Sequence, residues 1–229
     1  MTAPNVSVVL PVLNEAARIA ARLHELSQLG IFETIVVDGG SSDGTVDLVR
    51  AAEHARVVEA PRGRARQMNA GARLARGDVL LFLHADVALP PDTLAVVEHT
   101  LSDPGVVAGA FRTWTVNDAD GGRAPWLHLA DVRSRYSKLP YGDQALFVRR
   151  AVFERLGGFP EIPLMEDLEL SLRLWRLGEI RVAKACARVS GRRFLAHPLR
   201  DTFFVNVFPL LYRLGVPPAR LARLYADVR

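Results

Sequence analysis

Short apolar runs alternate with helical patterns over the first 88 residues of this 229-residue chain. The runs VSVVL, TIVVD, ARVVEA and GDVLLFL have the length of buried strands. The segments between them place apolar residues at helical spacing, as Ile19, Leu23 and Leu26 do after the first run. Because strands that alternate with helices form a parallel sheet with right-handed crossovers, the pattern predicts an α/β fold.

The pattern changes in the second part of the chain. We expect helices at PDTLAVVEHTL, from Pro125 to about Ser137, and at EDLELSLRLWRLG, with strands at VVAGAFRTWTV and QALFVRR. In the EDLELSLRLWRLG helix, Leu168, Leu172 and Trp175 are predicted to face inward because they share one side of a helix. This mixture of elements is typical of an α+β half attached to the first part.

No repeat or low-complexity linker divides the chain, so we expect a single domain over residues 1–229. In this interpretation residues 1–88 form a nucleotide-binding half, residues 89–185 form an α+β half, and residues 186–229 form a basic helical segment. The single cysteine, Cys186, excludes an internal disulfide framework and a multi-cysteine metal site. We expect it to be a small core residue.

The N-terminus MTAPNVSVVLPVLNEA lacks a basic region followed by a long apolar stretch. No signal peptide is therefore predicted, and a cytoplasmic location is expected. The apolar stretch TFFVNVFPLLY contains a proline and has about half of the roughly 20 residues that a membrane-spanning helix needs. A spanning helix is not expected.

The chain has a formal net charge of +4, with arginines frequent near the C-terminus. This balance favours anionic partners, which include nucleotide phosphates, nucleic acid and acidic lipid surfaces. The sequence has no recognisable nucleic-acid module or basic–aromatic platform, so no nucleic acid is expected as a partner. We expect residues 186–229 to cover the ligand-binding side or to contact the inner membrane face peripherally.

Polar residues follow the ends of the predicted strands. His84 and Asp86 come at the end of GDVLLFL, where strand alternation would place both side chains on the same face. Asp38 ends TIVVD, and Asn14 and Glu15 follow the first strand, with Asn14 as a plausible helix N-cap. Open α/β sheets bind ligands at the carboxyl ends of their strands. The alternative is that these residues only form turns.

The segment PRGRARQMNAG places Gly63, Arg64 and Arg66 at the start of a helix predicted from about Arg64 to Arg76. Free N–H groups at a helix N-terminus and guanidinium groups together suit a diphosphate. The alternative is that the arginines are ordinary solvated charges. Together with the strand ends, the segment predicts a nucleotide site.

The motifs PVLNEA, VVDGGSSDGT, GRARQMNAG, LFLHAD, YGDQALFVRR, GGFP and MEDLELSLRL occur in the order and spacing of family 2 glycosyltransferases. The resemblance covers essentially the whole chain. It implies a GT-A fold, with a Rossmann-like, mostly parallel sheet, an α+β acceptor-side half and C-terminal helices. The variants PRGRARQMNAG, LPYGDQALFVRR, IPLMEDLELSLRL and YRLGVPPARLARLY resemble a bacterial subfamily associated with arsenosugar biosynthesis.

The resemblance also implies residue roles on the donor side. It places the nucleotide of a sugar donor, with a preference for UDP, against Pro11, Glu15 and Asp38 and against the segment from Gly63 to Arg66. HAD corresponds to the Asp-x-Asp metal motif of the family, with His84 at the position of the first aspartate and Asp86 as the remaining carboxylate. A divalent metal, Mn²⁺ or Mg²⁺, is therefore expected. Mn²⁺ accepts imidazole more readily than Mg²⁺ does.

On the acceptor side, the resemblance makes Asp167 the general base and Glu166 a residue that positions an unknown acceptor. Asp143 and Gln144 would lie near the donor sugar or the acceptor, and transfer would invert the anomeric centre. Three alternatives stay open. Glu166 and Asp167 can act only as acids that stabilise a helix N-terminus. The protein can be a nucleotide-binding relative without activity, or a nucleotidyltransferase that resembles sugar-nucleotide pyrophosphorylases.

Overall fold

In the computed structural model, the described residues are 4–117, 128–192, 195 and 198–226. Eight strands in this part of the chain form one sheet in the order β3-β2-β1-β4-β7-β6-β8-β5. The strands are β1 (Val6–Val12), β2 (Glu33–Asp38), β3 (Ala55–Glu59), β4 (Val79–Phe82), β5 (Val87–Ala88), β6 (Val106–Val116), β7 (Phe147–Arg149) and β8 (Glu179–Ser190).

The helices of the described residues alternate with these strands in the first part of the chain and follow them in the second. They are α1 (Ala16–Ser27), α2 (Thr45–Arg50), α3 (Arg64–Leu74), α4 (Thr93–Leu101), α5 (His128–Tyr136), α6 (Arg150–Arg155), α7 (Glu166–Trp175), α8 (Pro198–Arg213) and α9 (Pro218–Ala226). A 3-10 turn spans Gly142–Gln144.

The first four strands pair in parallel, with β1 between β2 and β4 and with β3 beside β2. Every residue of β1 is buried, as expected for a strand covered by helices on both faces. Pro11 lies in β1 beyond the last residue paired with β4, so its missing N–H costs no hydrogen bond to that strand. The predicted α/β fold with a mostly parallel sheet is confirmed.

The second part of the chain completes the same sheet. β7 is antiparallel to both β4 and β6, β6 is parallel to β8, and β5 is antiparallel to β8. Apolar side chains on opposite faces form two clusters. One packs with Ile19 of α1 and Val97 of α4, and the other with Met68 of α3 and Leu170 of α7. The site residues of both halves therefore stand on one continuous sheet.

Helix α3 approaches the sheet unusually closely at Gly71. A Cβ atom there would lie 2.5 Å from Cγ1 of Val9 and 2.8 Å from Cγ2 of Val37, a separation that only glycine permits. Ala65 and Ala72 are also buried in the cluster that packs on this face of the sheet. Small side chains thus allow the N-terminus of α3 to sit beside the ends of β1 and β2.

Some sequence predictions for the second part of the chain are wrong. Trp175 is 59% exposed and Leu172 only half-buried, because the buried side of α7 runs through Leu168, Leu170 and Leu174. Cys186 is half-buried rather than a core residue. The sequence patterns also did not predict three elements, the short β5 and α6 and the 12-residue strand β8.

Three further expectations concern the second part of the chain. β8 continues to Ser190, so it crosses the expected boundary at residues 185 and 186, and the C-terminal helices begin after it. The division of the domain itself stays a prediction. The helix expected from Pro125 is observed from His128, and its first predicted residues lie outside the described part of the chain. None of the described helices is both long and apolar enough to cross a membrane.

Candidate functional site

The loops that follow β1 and β2 are joined by reciprocal hydrogen bonds. The backbone N–H of Asn14 donates to Oγ of Ser41 at 2.8 Å, and the N–H of Ser42 donates to Oδ1 of Asn14 at 2.8 Å. Asn14 has a positive φ of 54° and precedes the N-cap of α1, which is Glu15. The prediction of Asn14 as N-cap is therefore wrong, because its carboxamide binds the neighbouring loop instead.

The SSDGT loop supports α1 as much as its own helix. Oδ2 of Asp43 accepts from the N–H of Ala16 at 3.0 Å, and Oγ1 of Thr45 accepts from the N–H of Glu15 at 2.9 Å. Oδ1 of Asp43 also accepts from the N–H of Thr45, the first residue of α2, at 3.1 Å. Free N–H groups of α1 are thereby satisfied from the next loop, which fixes both loops at the sheet edge.

Asp38 keeps one carboxylate oxygen without a hydrogen bond. Its Oδ2 accepts from the N–H groups of Gly40 and Ser41 at 2.8 and 2.9 Å. Its Oδ1 is buried and has no hydrogen-bond partner among the described residues. A buried acceptor without a partner is costly, so this atom is suited to a donor group from a ligand, such as a ribose hydroxyl or a base N–H.

Gln67 holds the ends of β1 and β2 to the start of α3, a role the sequence analysis missed. Its Nε2 donates to the carbonyls of Val12 and Val37, both at 2.8 Å, and its Oε1 accepts from the N–H of Gly63 at 3.3 Å. The sequence feature that could have indicated this role is a glutamine between Ala65 and Met68, which are both buried.

Asn69 acts in a similar way on the GGFP segment. Its Nδ2 donates to the carbonyl of Phe159, and its Oδ1 accepts from the N–H of the same residue, at 2.9 and 2.8 Å. The two buried amides of α3 therefore connect the first strands with the segment that leads toward α7.

Arg64, the first residue of α3, meets Glu166, the first residue of α7. Nε of Arg64 lies 2.7 Å from Oε1 of Glu166, whose side chain is almost fully buried. The two groups form an ion pair at hydrogen-bond distance between the first residues of the two helices. Arg66, by contrast, is exposed and pairs with the exposed Glu161 at 3.1 Å.

Burial raises the pKa of Glu166 to about 7, and the neighbouring charge of Asp167 acts in the same direction, while Arg64 opposes both. Burial also works to lower the pKa of Arg64, but Glu166, Asp167 and Tyr225 outweigh it and raise that pKa. The pair therefore combines a permanent cation with a carboxyl group that titrates near neutral pH.

Asp167 and His84 meet at Gly142. The N–H of Gly142 donates to Oδ2 of Asp167 at 3.1 Å. A Cβ atom on Gly142 would lie 2.6 Å from that oxygen and 2.3 Å from Nε2 of His84. Only glycine fits between the two side chains, and the structure thus brings together three segments that are distant in sequence.

The strand that leads to His84 ends earlier than the sequence analysis assumed. β4 ends at Phe82, and Ala85 and Asp86 form a turn before β5. The alternation argument for His84 and Asp86 is therefore wrong, although both residues are half-buried at the predicted edge of the sheet.

The donor atoms at this edge fit a divalent cation only in part. Burial lowers the pKa of His84, against the opposing charges of Asp167, Asp86 and Asp143, so its imidazole is neutral at pH 7 as a metal ligand must be. Asp86 supplies a carboxylate. In the part of the chain that the structure describes, no three His, Cys, Asp or Glu side chains are grouped to hold a metal. Such an ion would need further ligands from a bound nucleotide.

Gln144 is fully buried in the 3-10 turn. Its Oε1 accepts from the N–H of Tyr141 and its Nε2 donates to the carbonyl of Phe111 at 3.1 Å. These two bonds fix the turn that contains Gly142 and Asp143, and the expected position of Gln144 near the donor sugar or the acceptor stays a prediction.

Three non-glycine residues of the described chain have a positive φ, and all adjoin predicted site residues. They are Asn14, Ala145 after the 3-10 turn, and Met165 immediately before α7, where φ is 69°. Strained backbone of this kind is held in place by its surroundings and is frequent at functional sites.

The C-terminal helices lie against the same region. The hydroxyl of Tyr212 in α8 donates to Oε2 of Glu169 in α7 at 2.7 Å, and Tyr225 of α9 is close enough to Arg64 to affect its pKa. A groove of about 230 Å³ separates α8 from Leu139 and Leu168 and reaches Tyr141, next to Gly142. The C-terminal helices therefore contact α7 and lie near Arg64, and the expectation that they cover the ligand-binding side stays a prediction.

Comparisons with known proteins agree on one family. The model of the family described as "Glycosyl transferase family 2" matches residues 7–157. A protein of Mycobacterium tuberculosis named "PGL/p-HBAD biosynthesis glycosyltransferase" is 30% identical over 236 residues, which cover 94% of this chain and 88% of that protein. A "Probable glycosyltransferase YdaM" of Bacillus subtilis is 30% identical over 210 residues, which cover 76% of this chain and 47% of that protein.

Two solved structures share the fold. A mannosyltransferase of Pyrobaculum calidifontis, in complex with GDP-Man and Mn²⁺, matches with a TM-score of 0.66 and 26% identity over 82% of this chain. TarS residues 1–349 of Staphylococcus aureus, in complex with UDP-GlcNAc, match with a TM-score of 0.64 and 20% identity over 81%. The chain spans 57% and 58% of these two chains. The GT-A-like fold is confirmed.

Replacing Glu166 by Gln should change how stability depends on pH. The folded state raises the pKa of this carboxyl from 4.5 to about 7, so it binds the proton more tightly than the unfolded state does. The resulting stability is present below about pH 4.5 and is lost as the pH rises through about 7. Between about pH 5 and pH 8, we expect the Tm of the wild type to fall by roughly 3 to 8 °C relative to Glu166→Gln.

The matched control for this comparison is Glu154→Gln, which removes an exposed carboxylate paired with Arg150. Its Tm should follow that of the wild type across the same pH range in thermal denaturation. Parallel curves for the wild type and Glu166→Gln would contradict the assignment of a buried, proton-binding Glu166.

Proposed function

The chain belongs to glycosyl transferase family 2 and is a glycosyltransferase that uses a nucleotide-sugar donor, and from this premise we propose that it transfers the sugar to an acceptor hydroxyl with inversion. The observation that carries the proposal is the position of Asp167, which lies at Gly142 beside His84 and next to the Arg64–Glu166 pair. A potential base therefore stands close to the cation expected to bind the donor phosphates.

On the donor side, we assign the nucleotide to the edge formed by Pro11, Glu15 and Asp38, with the diphosphate near Gly63 and Arg64. The buried Oδ1 of Asp38, which lacks a hydrogen bond, supports this assignment because a base or ribose donor would satisfy it. The solved relatives bind GDP-Man and UDP-GlcNAc, so the preference for UDP stays a prediction.

For the metal, we propose that Asp86 and the neutral imidazole of His84 would hold Mn²⁺ or Mg²⁺ together with the donor. Such an ion would offset the negative charge that develops on the departing diphosphate. Mn²⁺ in the mannosyltransferase complex supports a divalent ion, and His84 favours Mn²⁺ over Mg²⁺.

In the transfer step, Asp167 accepts the proton of the acceptor hydroxyl while that oxygen attacks the anomeric carbon. The bond from this carbon to the diphosphate oxygen breaks, and the electron pair leaves with the nucleoside diphosphate, which needs no protein acid. The N–H of Gly142 orients Oδ2 of Asp167. Attack opposite the leaving group inverts the anomeric centre.

Asp143 lies in the same turn as Gly142, where we place the sugar or the acceptor.

The identity of the acceptor stays open within this proposal. The relatives compared above bear names that make no reference to arsenosugar, so the resemblance to that subfamily remains a prediction. We propose that the acceptor enters along the groove beside Tyr141, because this groove leads to the 3-10 turn in which the N–H of Gly142 donates to Asp167.

We also propose that the protein is cytoplasmic and contacts the inner membrane face through α8 and α9. Phe203 and Leu210 recur on one side of α8, Leu214 directly follows the helix, and each of the three is more than half exposed. Arg213, Arg220 and Arg223 are exposed on the same pair of helices. An apolar stripe beside arginines complements an anionic lipid surface.

The base assignment is tested by Asp167→Asn. The amide keeps the shape and can still accept from Gly142, but it cannot take a proton, so transfer should fall by roughly 10² to 10⁴ while nucleotide binding is retained. The measurement is the rate of donor consumption with an identified acceptor, with product configuration determined by NMR. Full turnover by this variant, or a product with retained configuration, would exclude the mechanism.

The metal assignment is tested by Asp86→Ala. If Asp86 holds the ion, Mn²⁺ should no longer strengthen nucleotide binding in this variant, although some metal-independent affinity should remain. Titration of UDP and GDP with and without Mn²⁺, followed by thermal shift, measures both effects. The same Mn²⁺ enhancement in the wild type and in Asp86→Ala would show that the ion is held elsewhere.

The membrane contact is tested by co-sedimentation with phosphatidylglycerol vesicles at low salt. We expect the wild type to pellet with these vesicles, and Leu210→Ser/Leu214→Ser to pellet several-fold less because apolar area is lost. The matched control is Leu48→Ser/Leu74→Ser, which alters exposed leucines on other helices. Absence of binding by the wild type, or equal losses in both double variants, would refute the proposal.

A further inference from the structure

The contact between Arg64 and Glu166 involves a residue that the proposed function requires for a ligand. Arg64 stands at the N-terminus of α3, where the donor diphosphate is proposed to bind, and its side chain is 46% exposed. In the structure its Nε instead lies 2.7 Å from the buried Glu166. The guanidinium group of Arg64 can therefore pair with either of two anions, the carboxylate of Glu166 or the donor diphosphate.

We propose that Glu166 and the donor diphosphate compete for Arg64, so that the ion pair is a latch that donor binding opens. This inference rests on the proposed function and adds a regulation of the same site. Opening the latch would transfer a cation from the acid pair at the head of α7 to the diphosphate. It would also uncover Glu166, which the proposed function assigns to acceptor positioning.

The geometry of the contact favours competition over sharing. The ion pair occupies Nε of Arg64, and the side-on fork of a guanidinium group needs this nitrogen together with a terminal one. A diphosphate offers several oxygens to the guanidinium fork, and such charge-assisted pairs are stronger when two hydrogen bonds form in parallel. The diphosphate thus provides the better-matched partner for Arg64.

The surroundings of Glu166 also favour its release. Glu166 is a buried acid whose only charged partner on α3 is Arg64, and Asp167 beside it carries the same sign of charge. Its pKa, raised to about 7 mainly by burial, allows it to take up a proton when its counterion leaves. The departure of Arg64 therefore need not leave an uncompensated buried charge.

The latch makes an unusual prediction for the isosteric variant Glu166→Gln. Without a carboxylate to compete, Arg64 is available to the diphosphate, so nucleotide binding should become tighter, by roughly three- to tenfold. A purely structural role, or a role in acceptor positioning alone, would leave binding unchanged or weaken it. Arg64→Gln should weaken binding by about tenfold.

The experiment measures the dissociation constants of UDP and GDP with Mn²⁺ by calorimetry at about pH 8.5, where Glu166 is ionised in the free protein. The variants are Glu166→Gln, Arg64→Gln and the double variant, with Glu154→Gln as a control that removes a carboxylate outside the cleft. The latch predicts that Glu166→Gln tightens binding only when Arg64 is present and that Glu154→Gln has no effect.

Three outcomes would overturn the latch. Unchanged or weaker binding by Glu166→Gln would show that Arg64 serves both anions. If Glu166→Gln still tightens nucleotide binding when Arg64 is replaced by Gln, the effect comes from the removal of a negative charge near the nucleotide and not from the release of Arg64. If the wild type binds neither nucleotide, the proposed function fails together with the latch, whereas wild-type binding without the Glu166 effect removes the latch alone. If Glu166→Gln does not fold, Glu166→Asp, whose shorter side chain withdraws from Arg64, should give the same tightening in smaller measure.

Discussion

The geometry of the site depends most on the hydrogen bonds that the carboxamide of Gln67 makes. This carboxamide joins carbonyls near the ends of β1 and β2 to the first turn of α3, and the side chain is buried. Buried backbone carbonyls at the end of a sheet need hydrogen-bond donors, and here one side chain supplies two strands at once. The position of Arg64 relative to Asp38 follows from this link. The close approach at Gly71 continues the same contact along the helix.

The charge of the site depends in turn on the burial of its acidic residues. Glu166 and Asp167 stand side by side at the start of α7, where the strained backbone at Met165 directs the chain into the helix. Helix N-termini favour acidic residues, but burial of a pair of like charges raises the energy of ionising both. Arg64 relieves part of this cost in the unliganded molecule. The protonation state of the acid pair therefore depends on a residue of the other half of the chain.

The sequence was sufficient to predict the four parallel strands β1 to β4, because their apolar runs and intervening helices are regular, but it did not predict β8, which pairs in parallel with β6. It also predicted polar groups at this edge of the sheet, where Asp38 ends β2, Arg64 begins α3 and Asp86 lies in the turn after β4. It could not predict the contact of His84 with Gly142, which depends on β7 pairing between β4 and β6. The wrong orientation of Trp175 has a similar cause, because helix periodicity allows two neighbouring faces and tertiary packing selects one of them.

The position of β7 has a consequence for how the chain folds during synthesis. β4 has β1 on one side, but its other edge stays open until residues 147–149 have left the ribosome, and β6 needs both β7 and the later β8. Pairings between distant segments form slowly, and an unpaired apolar edge can associate with other chains. A nascent chain that stops before β7 would therefore expose the centre of the eventual sheet. Chaperone protection during elongation should matter most over this interval.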